Sequence, residues 1–230
     1  MASVSLRLAL AAIFAALAAA AVAAATELGY SRSMTPGLIA HRERQFGRGV
    51  RERLVGWQAF VRETGAPGES TRQPGEDRLL RAVNRFFNRV PSMTDLAHWG
   101  ADDYWATPSE SLASNGADCE DYAIAKYMSL LSAGVPQAKL RMVYVRAQFQ
   151  GRPQAHMVLA YYAQPEAEPL ILDNINPEIR PASLRPDLTP VFSFNGEGLW
   201  SGVGGTTAGN PLVRLSLWRD LLAKAKSEGF

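Results

Sequence analysis

The chain has 230 residues, 47% of them apolar, a single cysteine and a formal net charge of +2. That size and apolar content suit one globular domain with a sizeable core, and one cysteine excludes a disulfide framework. Arginines crowd residues 42–53 (Arg42, Arg44, Arg48, Arg51, Arg53), but Glu43 and Glu52 interleave with them as on a solvated helix face, so nucleic-acid binding is not expected.

Residues 1–25 read as a signal peptide. Arg7 supplies a positive start, Leu8 to Val22 an apolar stretch, and Ala23-Ala24-Ala25 the small residues of a cleavage site before Thr26. The rival reading is an uncleaved anchor, for which the 18 residues Leu8–Ala25 are at the short end of a membrane span. Either way the chain is expected in the periplasm, with residues 26–230 forming one domain.

Along that domain, residues 38–63 carry Val50, Leu54, Trp57, Phe60 and Val61 at helical spacing, which predicts a helix. Residues 64–75, with Pro67, Pro74 and three glycines, predict a loop. Leu80, Val83, Phe86 and Phe87 predict a second helix over residues 77–89, and residues 92–116 read as irregular and aromatic. Ala123, Ile124, Tyr127, Leu130 and Leu131 then mark a helix stopped by Gly134 and Pro136. Strand-like runs follow at 140–149, 156–162 and 170–172, with a turn expected at Gly151-Arg152-Pro153, and residues 211–226 close with a further helix. Helices followed by an antiparallel meander predict an α+β fold.

Cys119 falls at the start of the third of these helices. An unpaired cysteine in an exported protein suggests a nucleophile, and a helix N-terminus favours its thiolate. Of the three histidines, His156 opens a strand and is the best-placed base, since His41 lies in an arginine-rich helix and His98 in a loop. Asp173 ends the next strand; if the two strands pair, it comes within reach of His156 and orients it. Asp118, Glu120 and Asp121 oppose ionisation of the thiol between them. Two explanations stand. Asp118 caps the helix while the others sit in its first turn, or a bound Ca²⁺ neutralises all three.

The run Asp118-Cys119-Glu120-Asp121-Tyr122-Ala123-Ile124-Ala125-Lys126-Tyr127 resembles the nucleophile motif of the bacterial transglutaminase-like cysteine proteinases. Ala155-His156-Met157-Val158-Leu159 and Leu172-Asp173-Asn174 resemble that family's histidine and aspartate motifs, and the likeness covers roughly residues 75–200. It implies a papain-like or transglutaminase-like fold, with N-terminal helices packed on an antiparallel sheet and a Cys119, His156, Asp173 triad. It also implies Ca²⁺ held by Asp118 and Glu120, with Asp121 a further candidate. The LapG-type group within the family implies cleavage of a large surface adhesin near its N-terminus at a di-alanine site. That cleavage disperses biofilm, and an inner-membrane cyclic di-GMP receptor holds the protease in check. Trp105 is either an indole donor to the oxyanion or an aromatic wall of the substrate groove. Two rivals share these residues: a transglutaminase or amidase using the same triad, and a catalytically silent binding module.

Overall fold

The computed structural model describes residues 34–64, 74–205 and 207–230, which belong to one compact unit. The expected signal peptide and most of the expected loop after residue 64 lie outside them. Helix α1 (Pro36–Phe46) starts where the Thr35 hydroxyl caps the Leu38 N–H, and α2 (Val50–Thr64) follows. A single helix over 38–63 was expected. The chain breaks instead at Gly47 and Gly49, both at φ +81°, a left-handed conformation that glycine adopts without a Cβ penalty. The helical period resumes beyond the break, which is why spacing alone hides it.

Helix α3 (Pro74–Phe87) buries Leu79, Leu80, Val83 and Phe87. The stretch read as irregular contains two short helices, α4 (Asp95–Trp99) and α5 (Pro108–Ser114), each started by a threonine cap. Helix α6 (Cys119–Ser132) is the central one: Tyr122 through Leu130 are buried without a break. Gly134, at φ +97°, ends it, and the Gly134 and Val135 N–H groups return to the Leu131 and Leu130 carbonyls. Helices α7 (Pro211–Arg214) and α8 (Ser216–Ser227) close the chain.

Strand β1 (Leu140–Phe149) and β2 (Arg152–Tyr161) form a hairpin in full register, Phe149 facing Arg152. The turn is Gln150-Gly151, both at positive φ, one residue earlier than predicted; Arg152 and Pro153 are already in the strand. With β3 (Leu170–Leu172), β4 (Arg180–Pro181), β5 (Leu188–Phe194), β6 (Leu199–Ser201) and β7 (Thr207–Gly209) they make an antiparallel sheet ordered β4-β3-β2-β1-β5-β6-β7. One face, with Leu140, Met142, Met157, Leu159 and Tyr161, packs against the helices in the main core. The other buries a smaller cluster of Val143, Val145, Val158, Ala160 and Ile171. This is the expected α+β fold, helices on one side of an antiparallel sheet.

Candidate active site

Cys119 is the first residue of α6, half-buried, with Asp118 before it in extended conformation. Neighbouring backbone pins that helix start. The Met93 N–H donates to the Ala117 carbonyl (2.9 Å), the Ala117 N–H to the Pro91 carbonyl (3.1 Å), and the Tyr122 hydroxyl to the Val90 carbonyl (2.5 Å). Gly116 makes the close approach possible: a Cβ there would meet His98 Cε1 at 2.4 Å and Met93 Sδ at 2.8 Å. His98 is therefore a packing residue, stacked on Trp99, and no rival for the base.

The thiol touches both the sheet and its own neighbour. Sγ lies 2.9 Å from Glu120 Oε2, and the Met157 backbone N–H, one residue beyond His156, favours the charged form of the thiol. Burial pushes the Cys119 thiol well above its ordinary range; the Glu120 and Asp118 carboxylates push it further, and the Met157 N–H pulls back.

His156 and Asp173 meet as anticipated. His156 Nε2 lies 2.8 Å from Asp173 Oδ1, both side chains fully buried. The pairing of Leu159 with Leu172 would put Asp173 across from Val158, so His156 is its diagonal neighbour on the same face of the sheet. With Nε2 engaged by the aspartate, Nδ1 is the ring nitrogen left for a reacting group. Asp173 is held by more than the histidine. Arg185 Nη2 reaches Oδ2 at 2.7 Å, and the Ile175 N–H donates to Oδ1 at 3.0 Å. Burial alone would raise the Asp173 pKa, but His156 and Arg185 overcome it and hold the carboxyl well below the usual range. Lys126, fully buried two turns along α6, is pushed down to about 7 by burial, and the Asp173 charge pulls it back up.

Carboxylates also gather beside the thiol. Ligand atoms of Asp95, Asp118 and Glu120 all lie within 4.8 Å of one another. Asp118 Oδ1 is buried with no hydrogen-bond partner, and Asp118 is pushed up to about 9 by burial and by the Glu120, Asp121 and Asp95 charges. An all-oxygen, multiply charged set with an unpartnered buried carboxylate oxygen fits a hard divalent cation. Asp121, expected beside Asp118 and Glu120, belongs elsewhere. Its oxygens accept the Ala106 N–H at 2.7 Å and the Asp118 N–H at 3.4 Å, so it staples the loop before α5 to the start of α6. The third member is Asp95, which also accepts the Tyr104 N–H at 2.5 Å.

Trp105 stacks on Phe194 of β5 (5.9 Å between centroids), and Lys224 Nζ holds its carbonyl at 2.8 Å. A buried network fixes this loop from below: Arg42 Nη2 bonds Glu228 at 2.5 Å, and the Thr107 and Ser109 hydroxyls donate to the same carboxylate at 2.7 Å. The terminal helices α1 and α8 are thereby locked beneath α5.

Helices on one face of an antiparallel sheet, with a lone thiol opening the central helix against a histidine-bearing strand, define a transglutaminase-like cysteine peptidase. The comparison with known families agrees. Residues 61–186, more than half of the chain, match the bacterial transglutaminase-like cysteine proteinases (BTLCP), and the chain belongs to that family. Among solved structures it is similar to Legionella pneumophila LapG. The EGTA-treated form is 36% identical, with TM-score 0.69, covering 82% of this chain and 96% of that one. The calcium-bound form is 38% identical, with TM-score 0.66, covering 81% and 96%. Among curated proteins none matches significantly.

Proposed function

We propose that the chain is an exported, calcium-dependent cysteine endopeptidase with Cys119 as nucleophile, His156 as base and Asp173 as its orienting acid. The observation that carries this reading is the buried His156 Nε2–Asp173 Oδ1 pair at 2.8 Å, locked by Arg185, in a chain whose lone cysteine opens the central helix. In the reaction, the Cys119 thiolate attacks the scissile carbonyl and forms a thioester. His156 Nδ1 passes a proton to the leaving amine, then takes one from the water that hydrolyses the thioester. Asp173, kept ionised by Arg185, holds the imidazole in the tautomer that leaves Nδ1 facing the reaction. The Cys119 N–H and the Trp105 indole N–H are the candidate oxyanion donors.

Asp95, Asp118 and Glu120 would hold the calcium ion. When bound, it supplies positive charge that offsets the carboxylates now suppressing the thiolate. Glu120 belongs both to this cluster and to the surroundings of the sulfur, which it contacts at 2.9 Å, so the charge of the one bears on the other.

The likeness to LapG supports a finer assignment. The substrate is a large surface adhesin, cut at a di-alanine site near its N-terminus, with release of the adhesin and biofilm dispersal as the outcome. The site of action is the periplasm, and the inhibitory partner is an inner-membrane cyclic di-GMP receptor. The decisive test is cleavage of an N-terminal adhesin fragment followed by mass spectrometry. Wild-type protein is expected to produce two peptides summing to the substrate plus one water. Cys119→Ala is expected to lose at least ~10³-fold in rate while keeping its thermal midpoint. Cleavage by Cys119→Ala at the wild-type rate contradicts the assignment.

A further inference from the structure

Helix α3 carries Arg78, Arg81 and Arg85 at spacings of three and four, and Arg89 follows four residues on, just past the helix end; all four are exposed. Residues at those spacings share one face of a helix. Among the described residues none of the four joins an ion pair. The nearby carboxylates are engaged elsewhere, Glu76 with Lys139 and Glu178 with Arg180. Asp77, beside Arg78, is the one acidic residue of α3 that lines the face.

This face is concave. A groove of about 280 Å³ runs between Arg81, Arg85 and Arg89 on one wall and Pro177, Glu178 and Ile179 on the other. A second space, of about 490 Å³, lies open along α3 alone, from Asp77 and Arg78 to Arg85. Arg78 to Arg85 spans ~10 Å of helix axis, the reach of about three extended residues. Asn84 and Asn88 also line the groove, and their amide oxygens are buried without a hydrogen-bond partner. Asn84 is 2% exposed and donates its Nδ2 to the Pro177 carbonyl. Asn88 donates to the Asp173 carbonyl at 2.8 Å, so one hydrogen bond separates the groove from the backbone of the orienting acid. From Asn88 the chain runs through Val90 and Met93, which are bonded to Tyr122 and Ala117, to the start of α6. The backbone beside the groove is thus tied to the segments that hold Asp173 and Cys119.

We propose that this groove binds an acidic segment of the polypeptide substrate in extended conformation, outside the immediate surroundings of the thiol. Unpaired, exposed arginine forks match carboxylate side chains. A groove walled on both sides suits a strand-like segment and not a flat lipid surface. That the segment belongs to the substrate rests on the peptidase reading above; the groove's affinity for acidic peptide does not.

The test uses the full chain and a fluorescein-labelled peptide of alternating Glu and Ser, with its Gln/Ser counterpart and phosphatidylglycerol-containing vesicles as controls. Fluorescence anisotropy is expected to show salt-sensitive binding of the acidic peptide, weakened at least ~10-fold in Arg81→Glu/Arg85→Glu and by less in Arg81→Gln/Arg85→Gln. Binding within two-fold of wild type in both variants overturns the proposal. So does a wild-type preference for the vesicles with no binding of the peptide, which would make the face a membrane contact. An Arg81→Glu/Arg85→Glu protein that cuts the adhesin fragment at the wild-type rate removes the groove's role and leaves the peptidase standing.

Discussion

Asp173 and the cluster of Asp95, Asp118 and Glu120 hold their carboxylates on opposite principles. Asp173 has His156 and Arg185 on its two oxygens and a backbone N–H besides, so it stays ionised in a buried site. Asp118 sits among Asp95, Glu120 and Asp121 with one oxygen unpartnered, and is pushed up to about 9. Asp173 is completed by the protein's own guanidinium and imidazole; among the described residues no lysine or arginine pairs with Asp95, Asp118 or Glu120. A self-sufficient charge pair makes a rigid support for His156, whereas an incomplete one makes the Cys119 thiol depend on what fills it.

Disabling the support of Asp173 should cost most. Arg185→Met leaves the buried Asp173 charge without its arginine and is expected to destabilise by on the order of 3 kcal/mol. That would lower the thermal midpoint by ~6–12 °C, read by calorimetry. A loss below 1 °C would mean that Asp173 does not need its arginine, and the contrast would fail. Asp118→Asn should behave oppositely: with calcium chelated, its midpoint is expected to equal or exceed that of wild type, because an unpartnered carboxylate has been neutralised.

Calcium sharpens the contrast from the other side. At ~100 times its dissociation constant, the ion should stabilise the wild-type protein by about 2.7 kcal/mol. Asp95→Asn and Asp118→Asn should lose most of that gain, and Asp121→Asn should keep it at lower overall stability. An equal calcium response in Asp95→Asn and wild type would exclude Asp95 as a ligand.

The smallest effect is in pH. The Asp118 pKa is raised in the folded chain above its ordinary 3.8, so between those values the unfolded chain binds fewer protons. Stability of the chelated protein should therefore fall as pH rises from ~5 to ~8, and calcium should flatten that slope. The Asp173 pKa is depressed, so its contribution is full above the ordinary carboxylate range and is lost as pH falls through its folded value. A chelated protein whose stability rises over the first window contradicts the assignment of Asp118.

Sequence and structure part company in a way that follows the same division. Helix α6 and its thiol were legible because Ala123, Ile124, Tyr127 and Leu130 repeat at helical spacing and Gly134 with Pro136 ends the repeat. His156 and Asp173 were legible because they punctuate two neighbouring strands. Asp95 was not: next to its Thr94 cap it reads as an ordinary acidic residue in a helix's first turn. The contacts of Val90, Pro91 and Met93 with Tyr122 and Ala117, far along the chain, bring that segment to α6. Arg185 was likewise hidden in a Pro-rich turn, Arg185-Pro186-Asp187. Strand β5 escaped notice because Pro190 interrupts its pattern; it sits at the register shift where Tyr144 pairs with Phe192 and Val145 with Pro190. Local pattern shows what helices and strands carry, while the partners that complete a charge come from far along the chain.

The most direct test of the account is the alkylation rate of Cys119 by iodoacetamide, with chelator and with excess calcium. Because the chain has one cysteine, every label reports that thiol. At neutral pH the rate is expected to be low with chelator and to rise at least ~10-fold with calcium, as thiolate character is restored. The rise should disappear in Asp118→Asn. An alkylation rate that calcium leaves unchanged in the wild-type protein would contradict the claim that the incomplete carboxylate group governs the nucleophile.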